Sequence, residues 1–104
     1  LNYNFEVENK KLLHNTYCYP NPITENGGTI RVETFGSTKV DVDIYDLAGY
    51  FIKSFKGRSV HGGIQIKEFQ WVTLNVNPGV YFAHVFAIND NKTQTKIIKI
   101  AVVD

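Results

Sequence analysis

Apolar residues recur at every second position over short runs of this chain, and that period constrains its fold more than any other feature. Ile30, Val32 and Thr34 alternate with Arg31, Glu33 and Phe35, and Val40, Val42 and Ile44 alternate with Asp41, Asp43 and Tyr45. Ile64 and Ile66 likewise alternate with Gln65 and Lys67. Successive side chains of a pleated strand point to opposite faces, so each run reads as a strand with one buried and one wet face. Turn formers separate the runs: Asn26-Gly27-Gly28, Gly36-Ser37, Ala48-Gly49, Gly57, Gly62-Gly63, Asn77-Pro78-Gly79 and Asn89-Asp90-Asn91. Glycine supplies positive φ, proline pre-sets φ, and Asn or Asp side chains bond back to nearby backbone. Short strands punctuated at that spacing predict an all-β fold, an Ig-like antiparallel β-sandwich of about seven strands.

The strands are expected near 28–35, 39–46, 50–56, 63–71, 79–88 and 93–103, with a further one at 3–8 or 17–19. No segment has helical periodicity; in the nearest candidate, Val7 to His14, the apolar residues are irregular and no cap precedes them. Residues 1–16 are polar and rich in Asn, and read as a linker from an upstream domain of a longer parent, with the sandwich at 17–104. The 104 residues fit one domain with one core. A hydrophobic share of 43% against 20% charged residues is globular composition. The net charge of +1 gives no field for steering nucleic acid or anionic lipid, so no nucleic-acid partner is expected. No apolar run approaches the ~20 residues of a membrane span, so no membrane insertion is expected. Cys18 is the single cysteine, which rules out an internal disulfide and reads as a small buried thiol.

Nothing in the sequence assembles a catalyst, and no enzyme activity, catalytic residue, metal or cofactor is expected. His14, His61 and His84 lack metal-ligand spacing, and the pair His14 and Cys18 lacks the two further ligands that zinc needs. Ser37, Ser54 and Ser59 stand in no Gly-x-Ser-x-Gly. Gly27-Gly28 and Gly62-Gly63 lead into neither a helix nor Gly-Lys-Ser/Thr, which excludes a phosphate loop. Asp41 and Asp43 share a strand face about 7 Å apart and, with Asp46, could hold calcium. The plainer reading makes them the solvated face of an amphipathic strand, with Asp46 capping the following turn. Asn91-Lys92-Thr93 matches a glycosylation pattern in a polar turn. Tyr45, Tyr50, Phe69 and Trp71 make a candidate sugar-stacking platform, against the simpler view that Trp71 plugs one end of the core. The run Val80 to Ile88 is apolar on both sides, interrupted only by His84. It reads either as a central strand covered on both faces, by the N-terminal segment for instance, or as an exposed strip that docks a partner domain or a second copy in a weak homodimer.

From Tyr19 onward the order of the turn motifs is informative. Tyr19-Pro20-Asn21-Pro22 comes first, then Val42 to Gly49 with Tyr45-Asp46-Leu47-Ala48-Gly49, then Pro78-Gly79-Val80-Tyr81-Phe82, and finally Thr95 to Ile100. This succession resembles the C-terminal sorting domains of proteins exported by the type IX secretion system of Bacteroidetes and related bacteria. Read on their own, Pro20 and Pro22 withhold backbone donors and keep the chain extended, Asp46 to Gly49 is a hairpin turn, and Pro78-Gly79 turns the chain so that Tyr81 enters the core. Pro20, Asn21, Pro22, Asp46, Gly49, Pro78, Gly79 and Tyr81 are the positions that carry the resemblance. It implies an address that passes a cargo protein from the periplasm through the type IX translocon to the outer-membrane surface or the medium. It further implies that a sortase-like peptidase removes the domain, by cleavage before Tyr19 within 1–16, and that the translocon reads the last strand. Carried onto this sequence, the recognition residues are Lys96, Ile97, Ile98, Lys99, Ile100, Ala101, Val102 and Val103. Two other classes compete: an accessory Ig-like carbohydrate-binding module of a secreted hydrolase, and a spacer module similar to the Ig-like part of flagellar hook-cap proteins.

Overall fold

A computed structural model describes residues 11–36, 38–59, 63–90 and 92–103. Seven strands follow one another: β1 (Leu13–Tyr19), β2 (Gly27–Phe35), β3 (Thr38–Asp46), β4 (Phe51–Ser59), β5 (Ile64–Val72), β6 (Gly79–Asn89) and β7 (Lys92–Val102). They form two antiparallel sheets, β1-β2-β5 and β4-β3-β6-β7, so the chain is the expected β-sandwich. β4 pairs with its hairpin partner β3 rather than with β5, which places it in the larger sheet.

Alternation decides which side chains make the core. Ile30 and Val32 of β2 meet Val40, Val42 and Ile44 of β3 and Ala83, Val85 and Ala87 of β6, all fully buried. Each Val or Ile so buried stabilises the fold by about 1.5–3 kcal/mol. The alanines of β6 let the facing branched side chains fill the space between the sheets. Trp71, only 2% exposed, closes one end and stands edge-on to Tyr81 with ring centroids 5.5 Å apart.

β1 begins at Leu13, inside the stretch read from sequence as linker, and the alternative strand at 3–8 lies outside the described residues. Its buried residues are Leu13, Thr16 and Cys18, a three-then-two spacing. The register against β2 shifts between Leu13 and Thr16, and an irregularity there moves the buried face by one residue.

The outer face of the larger sheet corrects a second expectation. Asp41 is not solvated, its side chain being 15% exposed. One carboxylate oxygen stands 3.7 Å from Lys56 Nζ, and the other is buried without a hydrogen-bond partner. The cause is the neighbouring strand: the register sets Phe86 beside Asp41, His84 beside Asp43 and Phe82 beside Tyr45. The second apolar side of β6 is thus half-buried among side chains of its own sheet.

Candidate functional site

β7 pairs with β6 over its whole length, and the pleat divides the residues named for recognition into two sets. Ile98, Ile100 and Val102 point between the sheets and are buried. Ile97 is 58% exposed, Lys99 and Val103 are also exposed, and Ala101 is half-buried. In the folded domain this second set, with the exposed Lys96, offers side chains to another protein, and the buried set does not. Lys96 lies on the inward side, where the sandwich opens, and its Nζ donates to the Thr16 carbonyl of β1 at 3.1 Å. One turn of the pleat earlier, Gln94 Oε1 accepts from the amides of Leu12 and Leu13 at 2.6 and 3.0 Å. These two polar side chains fasten the start of β1 to the last strand.

The segment after β1 fastens the other end. Beyond Tyr19 the chain leaves the smaller sheet across Pro20 and Pro22, both preceded by cis peptide bonds, and arrives at the free edge of β7. There the Asn21 side chain behaves like a peptide group of an added strand. Its Nδ2 donates to the Lys99 carbonyl at 2.9 Å, and its Oδ1 accepts from the Ala101 amide at 3.1 Å. Ile23 continues the pattern: its amide donates to the Ala101 carbonyl at 2.7 Å, and its carbonyl accepts from the Val103 amide at 2.9 Å, as a parallel bridge. The Ile23 side chain is fully buried. Proline suits both flanking positions because it has no N–H to leave unpaired beside the junction.

The other motif positions are turn and core devices. Asp46 Oδ1 accepts from the Tyr50 amide at 2.9 Å, the Gly49 amide donates to the Asp46 carbonyl at 3.0 Å, and Gly49 has φ of 94°, which glycine adopts without a Cβ clash. Pro78 and Gly79 lead into β6, where the buried Tyr81 ring sends its hydroxyl back to the Asn77 carbonyl. Burial and the nearby Asp46 carboxylate raise the Tyr81 hydroxyl above its ordinary pKa.

The candidate sugar platform is not assembled. Trp71 is inside the core and Phe69 is half-buried against Phe55, whereas Tyr45 and Tyr50 belong to the larger sheet and its hairpin. What the fold groups instead, unnoticed in the sequence, is a depression of about 460 Å³ lined by Tyr45, Asp46, Leu47, Gly49, Phe82, His84 and Ile97. Its rings are not coplanar: Tyr45 stands edge-on to His84 at 5.0 Å and to Phe51 at 6.0 Å. Among the described residues no three His, Cys, Asp or Glu side chains are placed to hold a metal ion. His61, Ser37 and Asn91 lie outside the described residues.

The profile of one family, the secretion system C-terminal sorting domain, matches residues 17–100. The chain belongs to the type IX secretion C-terminal sorting domains. Such a sorting domain is a signal rather than a catalyst, and it implies an upstream cargo, the type IX machinery and export across the outer membrane. No curated protein matches the chain significantly in sequence. Among solved structures the sorting domain is similar to part of a β-glucuronidase of Parabacteroides merdae with glycerol in its active site, with TM-score 0.59 and 13% identity over 86% of this chain and 13% of that one. A second structure of the same enzyme gives TM-score 0.52 and 16% identity over 90% of this chain and 13% of that one. The C-terminal domain of wzt gives TM-score 0.49 and 16% identity over 79% and 63%. The sorting domain thus spans about an eighth of the length of the glucuronidase chains. At these identities the glucuronidase likeness is one of fold alone.

Proposed function

We propose that this domain is the C-terminal address of a cargo protein that the type IX translocon carries from the periplasm to the cell surface or the medium. The observation that carries the reading is the family match across residues 17–100, which takes in every turn motif and most of β7. The translocon reads the outward side chains of β7 and the residue after it, the exposed Ile97, Lys99 and Val103 with the half-buried Ala101, while Ile98, Ile100 and Val102 hold that strand on the core. A sortase-like peptidase then separates cargo from address. Its cut falls before Leu12, because the buried Leu12 side chain and the paired Leu12 and Leu13 amides supply nothing a protease can enter without unfolding β1.

The test is a periplasm-targeted fluorescent reporter fused ahead of residues 1–104, expressed in a type IX-competent host and in a derivative lacking the translocon. Reporter at the surface or in the medium of the first and in the periplasm of the second is the expected result. Equal periplasmic retention in both would refute the reading.

A further inference from the structure

The N–H and C=O groups of the odd-numbered β7 residues point away from β6, as the bonds of Ala101 to Asn21 and Ile23 establish. Asn21 and Ile23 cover that edge from the Lys99 carbonyl to the Val103 amide. Earlier along the strand, Thr95 and Ile97 are exposed and no described residue pairs with their outward backbone groups or with the Lys99 amide. An unpaired edge of this kind is a template for another strand unless it is guarded. This edge already accepts one, since Ile23 bridges to it.

On the reading that the domain is an export address, we infer that the strip from Thr95 to Lys99 is completed by an extended strand of the export machinery, added to the edge of the larger sheet. Its side chains are specified by what flanks the strip. Ile97 borders the depression that holds Phe82 and His84, so the residue opposite it is apolar. Lys99 lies two positions along on the same face, β7 contains no carboxylate, and the ammonium of Lys96 rests on a neutral carbonyl, so the partner residue opposite Lys99 is acidic. Asn21 marks where the added strand stops.

The reporter with residues 1–104 tests this through two variants. Thr95→Pro deletes an outward N–H while keeping the ladder to β6, since an edge-strand position whose N–H faces solvent tolerates proline. Ile97→Asp leaves the backbone intact, sets a carboxylate against the partner's apolar residue and adds a negative charge two positions from the partner's acidic one. Both are expected to lower the exported fraction at least about tenfold, while Ile66→Asp, at a comparably exposed site on the far edge of the other sheet, exports like the unchanged domain. Thermal midpoints of the purified 1–104 chains within a few degrees of one another show that the fold is kept, and if Thr95→Pro fails there, Ile97→Asp decides. Export of Ile97→Asp at the unchanged level overturns the inference even though the export reading stands. An unchanged reporter that never leaves the periplasm overturns both. A domain that is dimeric in solution and turns monomeric on Thr95→Pro also overturns it, because a second copy then occupies the strip.

Discussion

Replacing Asn21 by alanine isolates the junction between the two ends of the domain. The substitution removes a donor to the Lys99 carbonyl and an acceptor for the Ala101 amide, at 2.9 and 3.1 Å, and leaves Ile23 to hold the edge alone. An intramolecular hydrogen bond contributes about 0.5–1.5 kcal/mol net, and an exposed one sits low in that range because water replaces the lost partner. Two bonds therefore give about 1–2 kcal/mol. For a domain of this size each kcal/mol lowers the thermal midpoint by roughly 4–8 °C. Urea unfolding should show the loss in the midpoint with an unchanged slope. Amide hydrogen exchange places it: Ala101 should exchange faster in Asn21→Ala, and the β6-paired amide of Ile100 should not. Asn21→Asp discriminates further, since it keeps the acceptor for Ala101 but turns a carboxylate on the Lys99 carbonyl, and it should be no more stable than the alanine variant. An Asn21→Ala domain of unchanged stability with Ala101 still protected would show that Ile23 alone holds the edge and that the amide is ornamental.

Trp71→Ala removes the largest buried side chain together with its edge-on contact to Tyr81, and should cost about 3–5 kcal/mol in urea unfolding, against a total of about 5–15 kcal/mol for a domain. Gly27→Ala brings a Cβ to 2.5 Å from the Trp71 carbonyl oxygen, backbone against backbone, so the β2–β5 pairing must open at that end; the expected loss is about 1–3 kcal/mol, seen as faster exchange of the Thr73 amide, which now donates to Asn26. Burial pushes the Cys18 thiol up to about 11. The unfolded chain therefore releases that proton at lower pH than the folded one, so stability falls as pH rises from about 9 toward 11. The slope should flatten in Cys18→Ala, and alkylation of the native thiol at pH 8 should run at least about a hundredfold slower than that of free cysteine.

The sequence showed the sandwich because its strands are amphipathic, and a period of two needs no knowledge of the partner strand. It offered residues 17–19, the end of β1, only as an alternative and hid the start of that strand for a physical reason: the irregularity between Leu13 and Thr16 breaks the alternation, and a run of buried residues spaced three then two resembles nothing periodic. Asp41 and Asp43 looked solvated because their own strand is amphipathic; only the register against β6 sets Phe86 and His84 beside them. The eight consecutive residues from Lys96 to Val103 could have been sorted into core and surface from the alternation of Ile98, Ile100 and Val102 alone. The role of Asn21 could not. A side-chain amide that imitates a peptide group works only against a strand edge 78 residues away, and no local pattern encodes that meeting.

That long-range meeting bears on how an address of this type can be read. β7 is held by the β6 ladder on one side, by Asn21 and Ile23 on the other, and through Gln94 and Lys96 by the start of β1. Its outward set, Ile97, Lys99 and Val103, has a fixed spacing only while those three attachments persist. Deleting Lys96 to Asp104 removes Ile98, Ile100 and Val102 from the core along with much of the ladder, so loss of export on truncation cannot separate a missing address from a missing fold. Single substitutions on the outward set can, because they leave the buried set in place. A receptor that reads this spacing rather than a linear peptide would ignore residues 92–104 presented as an isolated peptide and bind them in the folded chain; competition of the free peptide for export would argue for linear recognition.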